Sequence, residues 1–380
     1  MNQKMESLIT LRRELHKYPE LSGEESETSQ KVIHELEKCD PSQIIKNVGG
    51  DGIVAIFNPS ENEADKTILF RAELDGLPIH EATEADHQSV HQGKMHACGH
   101  DGHMAILIGL ARELQKKRPD RVRVLLLFQP AEETGKGALK ILEDKKFKEL
   151  IIDHGYALHN LPGFDENTLY IRSDSFASAS VGVDISIKGE SSHAAYPEQG
   201  MNPSNVIAGI IQKINDEFED FSKSHSGSKY AVTYIKMGEK AFGTSPGEAA
   251  MGLTFRSETD EMLKKCLDWV ENLVKNEADS FSGSITTSRV EPFAATINSS
   301  EGCDIVKNAA KEMDVEVEEL ERAFPWSEDF GRFGEKFPIT LFGLGSGNDS
   351  APLHSEKYDF NDSLLPTGVR IFKAIIDCYS

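Results

Sequence analysis

Cysteine is scarce in this 380-residue sequence, which contains only five widely separated residues: Cys39, Cys98, Cys266, Cys303 and Cys378. We therefore expect no disulfide framework, and a reducing compartment is favoured. Long apolar runs are also lacking, because the longest, at 104–111 and 124–128, fall well short of a membrane span. The first residues carry charges of both signs and no apolar signal segment, so we expect a cytoplasmic enzyme.

Positive charge is in deficit as well. The chain has 41 basic and 63 acidic side chains, which gives a formal net charge of −22. This balance disfavours a phosphate backbone or an anionic membrane as a partner, so neither nucleic acid nor membrane is expected. At this length the chain exceeds the usual size of a single hydrophobic core, and two domains are expected.

The first part of the chain alternates helical and strand patterns. Apolar residues recur at helical spacing in 9–15, 32–36 and 106–114, whereas the apolar runs at 53–57, 67–70 and 122–128 are typical of strands. The run at 122–128 is apolar enough to be buried on both faces, as in a parallel sheet. This alternation predicts an α/β domain built from βαβ units.

The pattern changes near residue 180. Strands and helices then follow in the order βαββαβ, which is the ferredoxin-like unit and can close its own small core. After it the α/β pattern resumes, with a helix at 304–313, a strand at 338–344 and a final helix from Leu365. We predict an α/β catalytic domain with a mostly parallel central sheet, formed by residues 1–179 and 291–380 and interrupted by a satellite domain at 180–290.

Residues 95–103 hold a thiol, three imidazoles and a carboxylate within nine positions. Core packing does not require such a set, whereas sulfur with imidazole is what borderline divalent metals prefer. In an extended chain alternate residues face the same side, so Cys98 and His100 are predicted to reach one site.

A second cluster follows the strand that ends at Phe128. Glu132 and Glu133 are adjacent, and neighbours in an extended chain point to opposite sides, so one carboxylate is predicted to bind metal and the other to act as general base. His159 and His354 follow strand-like or loop segments. Taken alone, a glutamate pair is usually solvated and a single histidine or cysteine is usually structural. Their order and spacing favour a metal site.

The remaining histidines are expected to be structural or surface groups, with His103 a candidate to support the metal ligands. They are His16, His34, His80, His87, His91, His96, His103, His154 and His225.

The motifs together resemble a known family. The chain is similar to the metal-dependent amidohydrolase branch of the aminoacylase and carboxypeptidase-G-like superfamily, which contains hippurate hydrolases, indole-acetyl-amino-acid hydrolases and N-acetyl-diaminopimelate deacetylases. The likeness runs nearly end to end, through residues 11–22, 71–78, 96–103, 129–133, 158–160, 192–195, 327–330 and 352–354.

The resemblance implies two divalent metal ions, held by Cys98, His100, Glu133, His159 and His354. It implies that Glu132 is the general base for a metal-bound water, and that Asp75 orients a ligand beside the site. The satellite domain is implied to act as a lid and dimerisation surface, so a homodimer is expected. Zinc, manganese, cobalt and nickel all suit this donor set.

His193 has two interpretations, as a donor to the tetrahedral oxyanion or as a loop histidine packed near Tyr196. The substrate class implied is an N-acyl amino acid or similar small amide. Relatives carry an asparagine where this chain has Gly243, and often an aspartate where it has Glu73. Arg256 is a candidate for binding a substrate carboxylate, with a structural ion pair as the alternative.

Three other functions stay open. A dipeptidase or aminopeptidase would use the same metal centre but recognise a free α-amine. A binding protein on the inherited fold would have lost a metal ligand or the general base. This chain retains all of these residues, which disfavours that function. A thiol enzyme would use Cys98 as the nucleophile with a neighbouring histidine.

Overall fold

The computed structural model describes residues 3–60, 63–224 and 227–379. Residues 1 and 2, at the start of the segment considered for a signal sequence, and His225 lie outside the described residues. None of the described helices combines the length and apolar character that a membrane crossing requires.

The helices of the described ranges are α1 (Gln3–Lys17), α2 (Ser26–Glu37), α3 (His100–Lys116), α4 (Gly137–Glu143), α5 (Lys145–Lys148), α6 (Ser204–Ser224), α7 (Asp260–Ala278), α8 (Ser300–Glu312) and α9 (Leu364–Asp377). The strands are β1 (Gln43–Val48), β2 (Gly52–Phe57), β3 (Lys66–Glu73), β4 (Val122–Gln129), β5 (His154–Leu161), β6 (Leu169–Ile171), β7 (Asp174–Ala177), β8 (Ala179–Lys188), β9 (Ser192–His193), β10 (Lys229–Met237), β11 (Thr244–Ser245), β12 (Glu248–Ser257), β13 (Ser284–Phe293), β14 (Thr296–Asn298), β15 (Val317–Glu319) and β16 (Ile339–Gly345). Short 3-10 helices cover Pro197–Gln199 and Asp329–Glu335.

The chain forms two compact units. The first contains residues 1–176, 296–323 and 328–380, and the second contains 177–295 and 324–327. The segment 324–327 comes from the last third of the chain but belongs to the second unit, where Ala177 forms a β-bridge with Phe324. The amide of Ser178 donates to the carbonyl of Phe324 at 3.0 Å, which extends this contact.

The first unit is built on an eight-stranded mixed sheet in the order β1-β2-β4-β3-β5-β16-β6-β15. Its centre is parallel, from β4 through β3 and β5 to β16, while β1, β2 and β4 pair antiparallel at one edge. Residues of β2, β4, β5 and β16 are buried nearly throughout, as expected for strands covered on both faces. The predicted α/β class is confirmed.

The second unit is a four-stranded antiparallel sheet in the order β10-β12-β8-β13, with α6 and α7 packed against it. In β8 the buried residues Val181, Val183, Ile185 and Ile187 alternate with more exposed ones, so one face of the sheet forms the core. Along the chain the main elements follow in the order β8, α6, β10, β12, α7 and β13. This is the βαββαβ order of the ferredoxin-like fold, and that prediction is confirmed.

Candidate metal centre

The candidate ligands lie where the parallel strands of the first unit end. Asp75 follows β3, Glu132 and Glu133 follow β4, and His159 lies in the last part of β5. These three strands are neighbours in the sheet. Side chains that follow these strands therefore meet at the carboxyl end of the sheet, which is where α/β sheets place their ligand sites.

Cys98 and His100 also lie at the carboxyl end of the sheet, and they are joined by a turn rather than by extended chain. Gly99 between them has φ of 90°, in the left-handed region, and α3 begins at His100. A Cβ atom on Gly99 would lie 2.3 Å from Oδ1 of Asn160 and 2.5 Å from the hydroxyl of Tyr358. The two candidate ligands do reach one site, but the extended geometry predicted for them is wrong.

Glu132 and Glu133 also lie on a turn. Ala131 before them has φ of 54°, and the amide of Gly135 donates to the carbonyl of Glu132 at 2.7 Å. Nε2 of His100 is 4.0 Å from Oε2 of Glu132 and 3.9 Å from Oε1 of Glu133. The prediction that the two carboxylates point to opposite sides is therefore wrong, because the chain is not extended here and both approach the same imidazole.

The predicted metal ligands converge within the first unit. Cys98, His100 and His159 form one group, and Cys98, Glu133 and His354 form another, each with ligand atoms within 4.8 Å of one another. Sγ of Cys98 is 3.5 Å from Nε2 of His159, and Nε2 of His354 is 3.7 Å from Oε2 of Glu133. Such separations suit two ligands of one ion, because Zn–S and Zn–N bonds are about 2.3 and 2.0 Å long.

Two buried atoms test whether these residues fit a metal. Nε2 of His100 and Oε1 of Glu133 are buried, and neither has a hydrogen-bond partner in the described part of the chain. Nδ1 of His100 donates to the carbonyl of Asp75 at 2.8 Å, which leaves Nε2 directed at the carboxylates. Buried polar atoms rarely lack partners, and a cation between the two would satisfy both. The donor set therefore fits a divalent ion.

The protonation of His159 also suits a metal ligand. Burial, reinforced by His103, lowers the pKa of His159 to about 4, so its imidazole is neutral and able to bind metal. Burial and the carboxylate of Glu133 raise the pKa of the Cys98 thiol well above its usual value. A thiol that resists ionisation is a poor nucleophile by itself, which weighs against the thiol-enzyme interpretation. A cation would favour the thiolate.

Asp75 contacts the ligands through its oxygens. Its Oδ2 accepts hydrogen bonds from the hydroxyl of Ser22 at 2.6 Å and from the amide of Glu133 at 3.0 Å. Its Oδ1 lies 3.5 Å from Nδ1 of His100. These contacts orient one candidate ligand and the backbone of another.

Behind Glu132 lies a buried ion network to which the sequence analysis assigned no role. The guanidinium of Arg71 donates to Glu73, to Glu328 at 2.8 Å and to Asp329 at 2.9 Å. The amide of Asp329 faces Oε1 of Glu132 at 3.4 Å. Burial, together with Glu328, raises the pKa of Glu132 well above its usual value, while Arg71 opposes that rise. The feature of the sequence that could have indicated this network is Arg71, an arginine inside the apolar strand β3.

His103 supports the site without a free nitrogen for metal. Its Nδ1 pairs with Oε2 of Glu73 at 2.8 Å, and its Nε2 accepts from the amide of Asn160 at 3.1 Å. Glu73, at the position where relatives often have aspartate, thus joins His103 to Arg71. A role of His103 in supporting the metal ligands stays a prediction.

His193 and Arg256 lie in the second unit. His193 pairs with Thr244 across β9 and β11, is exposed, and its ring centroid is 5.9 Å from that of Tyr196. The contact that the loop-histidine interpretation requires is therefore present. The carbonyl of Gly243 accepts from the amide of Ala194 at 3.0 Å, so the Gly243 position lies beside His193.

Arg256 contacts neutral oxygens. Its Nη1 donates to the carbonyl of Pro325 at 3.1 Å and to the hydroxyl of Ser327 at 3.0 Å. Among the described residues it forms no ion pair, so the alternative prediction of a structural ion pair is wrong.

Comparisons with known proteins agree with this geometry. The sequence pattern of peptidase family M20/M25/M40 matches residues 69–377. An N-acetyldiaminopimelate deacetylase of Enterococcus faecalis is 32% identical over 370 residues, which cover 96% of this chain and 95% of the relative. An IAA-amino acid hydrolase of Arabidopsis thaliana is 30% identical over 388 residues, which cover 98% of this chain and 86% of the relative. A dinuclear metal-binding M20 peptidase of Bacillus subtilis shares the fold, with a TM-score of 0.82 and 24% identity. The match covers 98% of this chain and 97% of that structure.

Proposed function

Because the chain belongs to peptidase family M20/M25/M40 and is a hydrolase of that family, we propose that it hydrolyses the amide bond of N-acyl amino acids with two divalent metal ions. The observation that carries the proposal is the convergence of one thiol, three imidazoles and two glutamates at the carboxyl ends of parallel strands. The names of the two relatives support the substrate class, since both describe cleavage of an amide formed by an amino acid.

The two ligand groups indicate how the ions would be held. One ion would be held by the group Cys98, His100 and His159, and the other by the group Cys98, Glu133 and His354. Zinc, manganese, cobalt and nickel all suit this mixture of sulfur, nitrogen and oxygen. Such ions supply a water of lowered pKa and polarise a carbonyl oxygen.

Glu132 is the proposed general base and acid. Its carboxylate would take a proton from the attacking water and then deliver it to the leaving amine nitrogen, which is a poor leaving group without that proton. The burial that raises its pKa favours the second transfer, and Arg71 beside the same network limits the rise. Both directions of transfer need a carboxyl whose two forms are accessible near neutral pH.

Three more residues complete the proposal. Asp75 would keep His100 and Glu133 in place, in accord with its contacts to both. His193 would donate to the oxyanion that forms at the substrate carbonyl. Arg256 would bind the substrate carboxylate with the part of its guanidinium not engaged by Pro325 and Ser327.

We further propose a cytoplasmic homodimer that binds neither nucleic acid nor membrane. The edge strand β10 of the second unit supports the dimer, because Val232, Ile235 and Met237 on it are 40%, 49% and 40% exposed. An apolar edge strand with unpaired backbone groups is a natural surface for a second copy of the chain.

The test is amine release from a panel of N-acetyl amino acids, N-benzoyl amino acids and dipeptides. We expect metal-loaded enzyme to act on acylated substrates and the chelated enzyme to be inactive. Glu132→Gln should lower kcat by about 10²- to 10⁴-fold, with bound metal unchanged, because it removes the proton-transfer group. Glu143→Gln, which changes an exposed glutamate on α4, is the matched control and should keep full activity.

Three outcomes would contradict the proposal. Activity that persists after verified metal removal would exclude the metal mechanism. Release from dipeptides alone would replace it by a dipeptidase. No release from any member of the panel would contradict the proposed substrate class.

A further inference from the structure

A buried carboxylate from the start of the chain contacts the turn that carries Glu132. Glu25 is fully buried, and its Oε1 accepts a hydrogen bond from the amide of Ala131 at 2.7 Å. Its other oxygen, Oε2, accepts from the amide of Gly23 at 2.7 Å. Burying a carboxylate is costly unless hydrogen bonds compensate, and here both oxygens have a backbone donor.

Helix capping does not account for this residue. Glu25 occupies the position before the first residue of α2, but its side chain does not cap that helix. The amide of Thr28 is instead satisfied by Oε2 of Glu20 at 2.7 Å. The Glu25 carboxylate is thus directed away from its own helix and toward a segment 106 residues later in the sequence.

The residue it holds has an unfavourable backbone conformation. Ala131 has φ of 54°, in the left-handed region that residues with a Cβ atom avoid. Its backbone immediately precedes Glu132 and Glu133, so the direction of both carboxylates depends on it. A conformation of this kind persists only when its surroundings enforce it.

We infer that Glu25 is a positioning residue, which holds Ala131 in its left-handed conformation and thereby directs Glu132 and Glu133 toward His100. The inference rests on the proposed role of Glu132. Two further contacts from other segments act on the same turn, since Asp75 accepts from the amide of Glu133 and the amide of Asp329 faces Glu132. The carbonyl of Ala131 accepts from the hydroxyl of Thr134 at 3.3 Å and from the amide of Gly137 at 3.0 Å, both within the turn, whereas Glu25 accepts from its amide and comes from outside the turn.

Glu25→Gln tests the inference with little change in size. An amide has one acceptor oxygen, so one of the two backbone donors would face an NH₂ group. At saturating metal we expect kcat to fall about tenfold, with KM within twofold of wild type, because a misdirected base weakens the transition state more than substrate binding. Glu27→Gln is the matched control, because Glu27 is exposed on α2 two residues later and should leave kcat unchanged.

A second substitution separates positioning from general stabilisation. Glycine adopts positive φ without the strain of a Cβ atom, so Ala131→Gly reduces the need for the Glu25 contact. In the Glu25→Gln background we expect Ala131→Gly to raise kcat at least threefold. A loss of kcat that Ala131→Gly does not recover, or a kcat for Glu25→Gln equal to that of Glu27→Gln, would overturn the inference.

Hydrogen exchange gives a readout that does not depend on activity. Amides in 129–137 should exchange faster in Glu25→Gln than in wild type or Glu27→Gln, since the Ala131 amide loses its acceptor. Equal exchange in the three proteins would overturn the inference. If wild type cleaves no substrate in the panel, the proposed function fails by itself, and the exchange result still decides the role of Glu25.

Discussion

At the scale of single residues, His16 shows how burial and charge combine beside the metal centre. Its Nδ1 faces Oδ2 of Asp101 at 2.9 Å and its Nε2 faces Oε1 of Glu81 at 3.2 Å. Burial would lower the pKa of His16, but Asp101 and Glu81 outweigh it and raise the pKa to about 10. The imidazolium is thus part of the fold, and the expectation that His16 is structural is confirmed.

This raised pKa predicts how stability depends on pH. The unfolded chain has a histidine pKa near 6.5, so the stabilisation is complete below about pH 6.5 and is lost as pH rises toward 10. Urea unfolding with chelator present should show wild type losing on the order of 3 kcal/mol more than His16→Gln between pH 7 and 9.5. His34→Gln, at an exposed position of α2, should behave as wild type. The same pH dependence in wild type and His16→Gln would contradict this account.

At the scale of an element, the beginning of α3 depends on one glycine. The first residues of this helix are buried, and its start is held against β5 and the loop that contains Tyr358. Gly99 meets two requirements there, a left-handed φ and a close approach of other atoms. Because Cys98 and His100 flank it, the same glycine sets the separation of two ligands.

Gly99→Ala should therefore destabilise the protein by roughly 3 kcal/mol, from left-handed strain and overpacking together. Gly163 provides the matched control, since its φ is 81° and an added Cβ would meet nothing within 4 Å. Gly163→Ala should cost only the strain, about 1 kcal/mol. Urea unfolding of metal-free protein measures both, and equal losses would show that the close approach to Asn160 is unimportant.

At the scale of the whole molecule, the sheet of the second unit has two edge strands that could contact another chain. In the second unit the strands at both sheet edges, β10 and β13, carry exposed apolar side chains, including Ile235 at 49% and Val290 at 43%. Only β10 presents a cluster of them, with Val232 and Met237 beside Ile235. The proposed dimer therefore assigns different roles to two otherwise similar edges.

The prediction is that Ile235→Lys shifts the protein from dimer to monomer, whereas Val290→Lys leaves it dimeric. A lysine on an edge strand opposes pairing with another chain. Sedimentation velocity measures the mass, and circular dichroism checks that both variants stay folded. A monomeric wild type, or equal effects of the two lysines, would contradict the proposed surface.

The elements that sequence predicted well are those with strong local patterns. The helices and strands between β8 and β13 follow the predicted order, because alternating and 3.6-residue periodicities are encoded in consecutive residues. The short strands β6 and β15 were not predicted, since three residues hold too little pattern. The sequence predicts extended chain at Gly99 and Ala131, whereas both have a left-handed conformation that depends on contacts distant in the sequence.

Ligand types, spacings and periodicities are properties of short segments, so the candidate metal ligands and the order of the two units could be predicted from the residues alone. The surroundings of Glu132, in contrast, depend on how distant segments pack together. The contact of Glu25 with Ala131 spans 106 residues, and that of Arg71 with Glu328 spans 257. Such pairs meet only when the strands are assembled into the sheet, so no local pattern could reveal them.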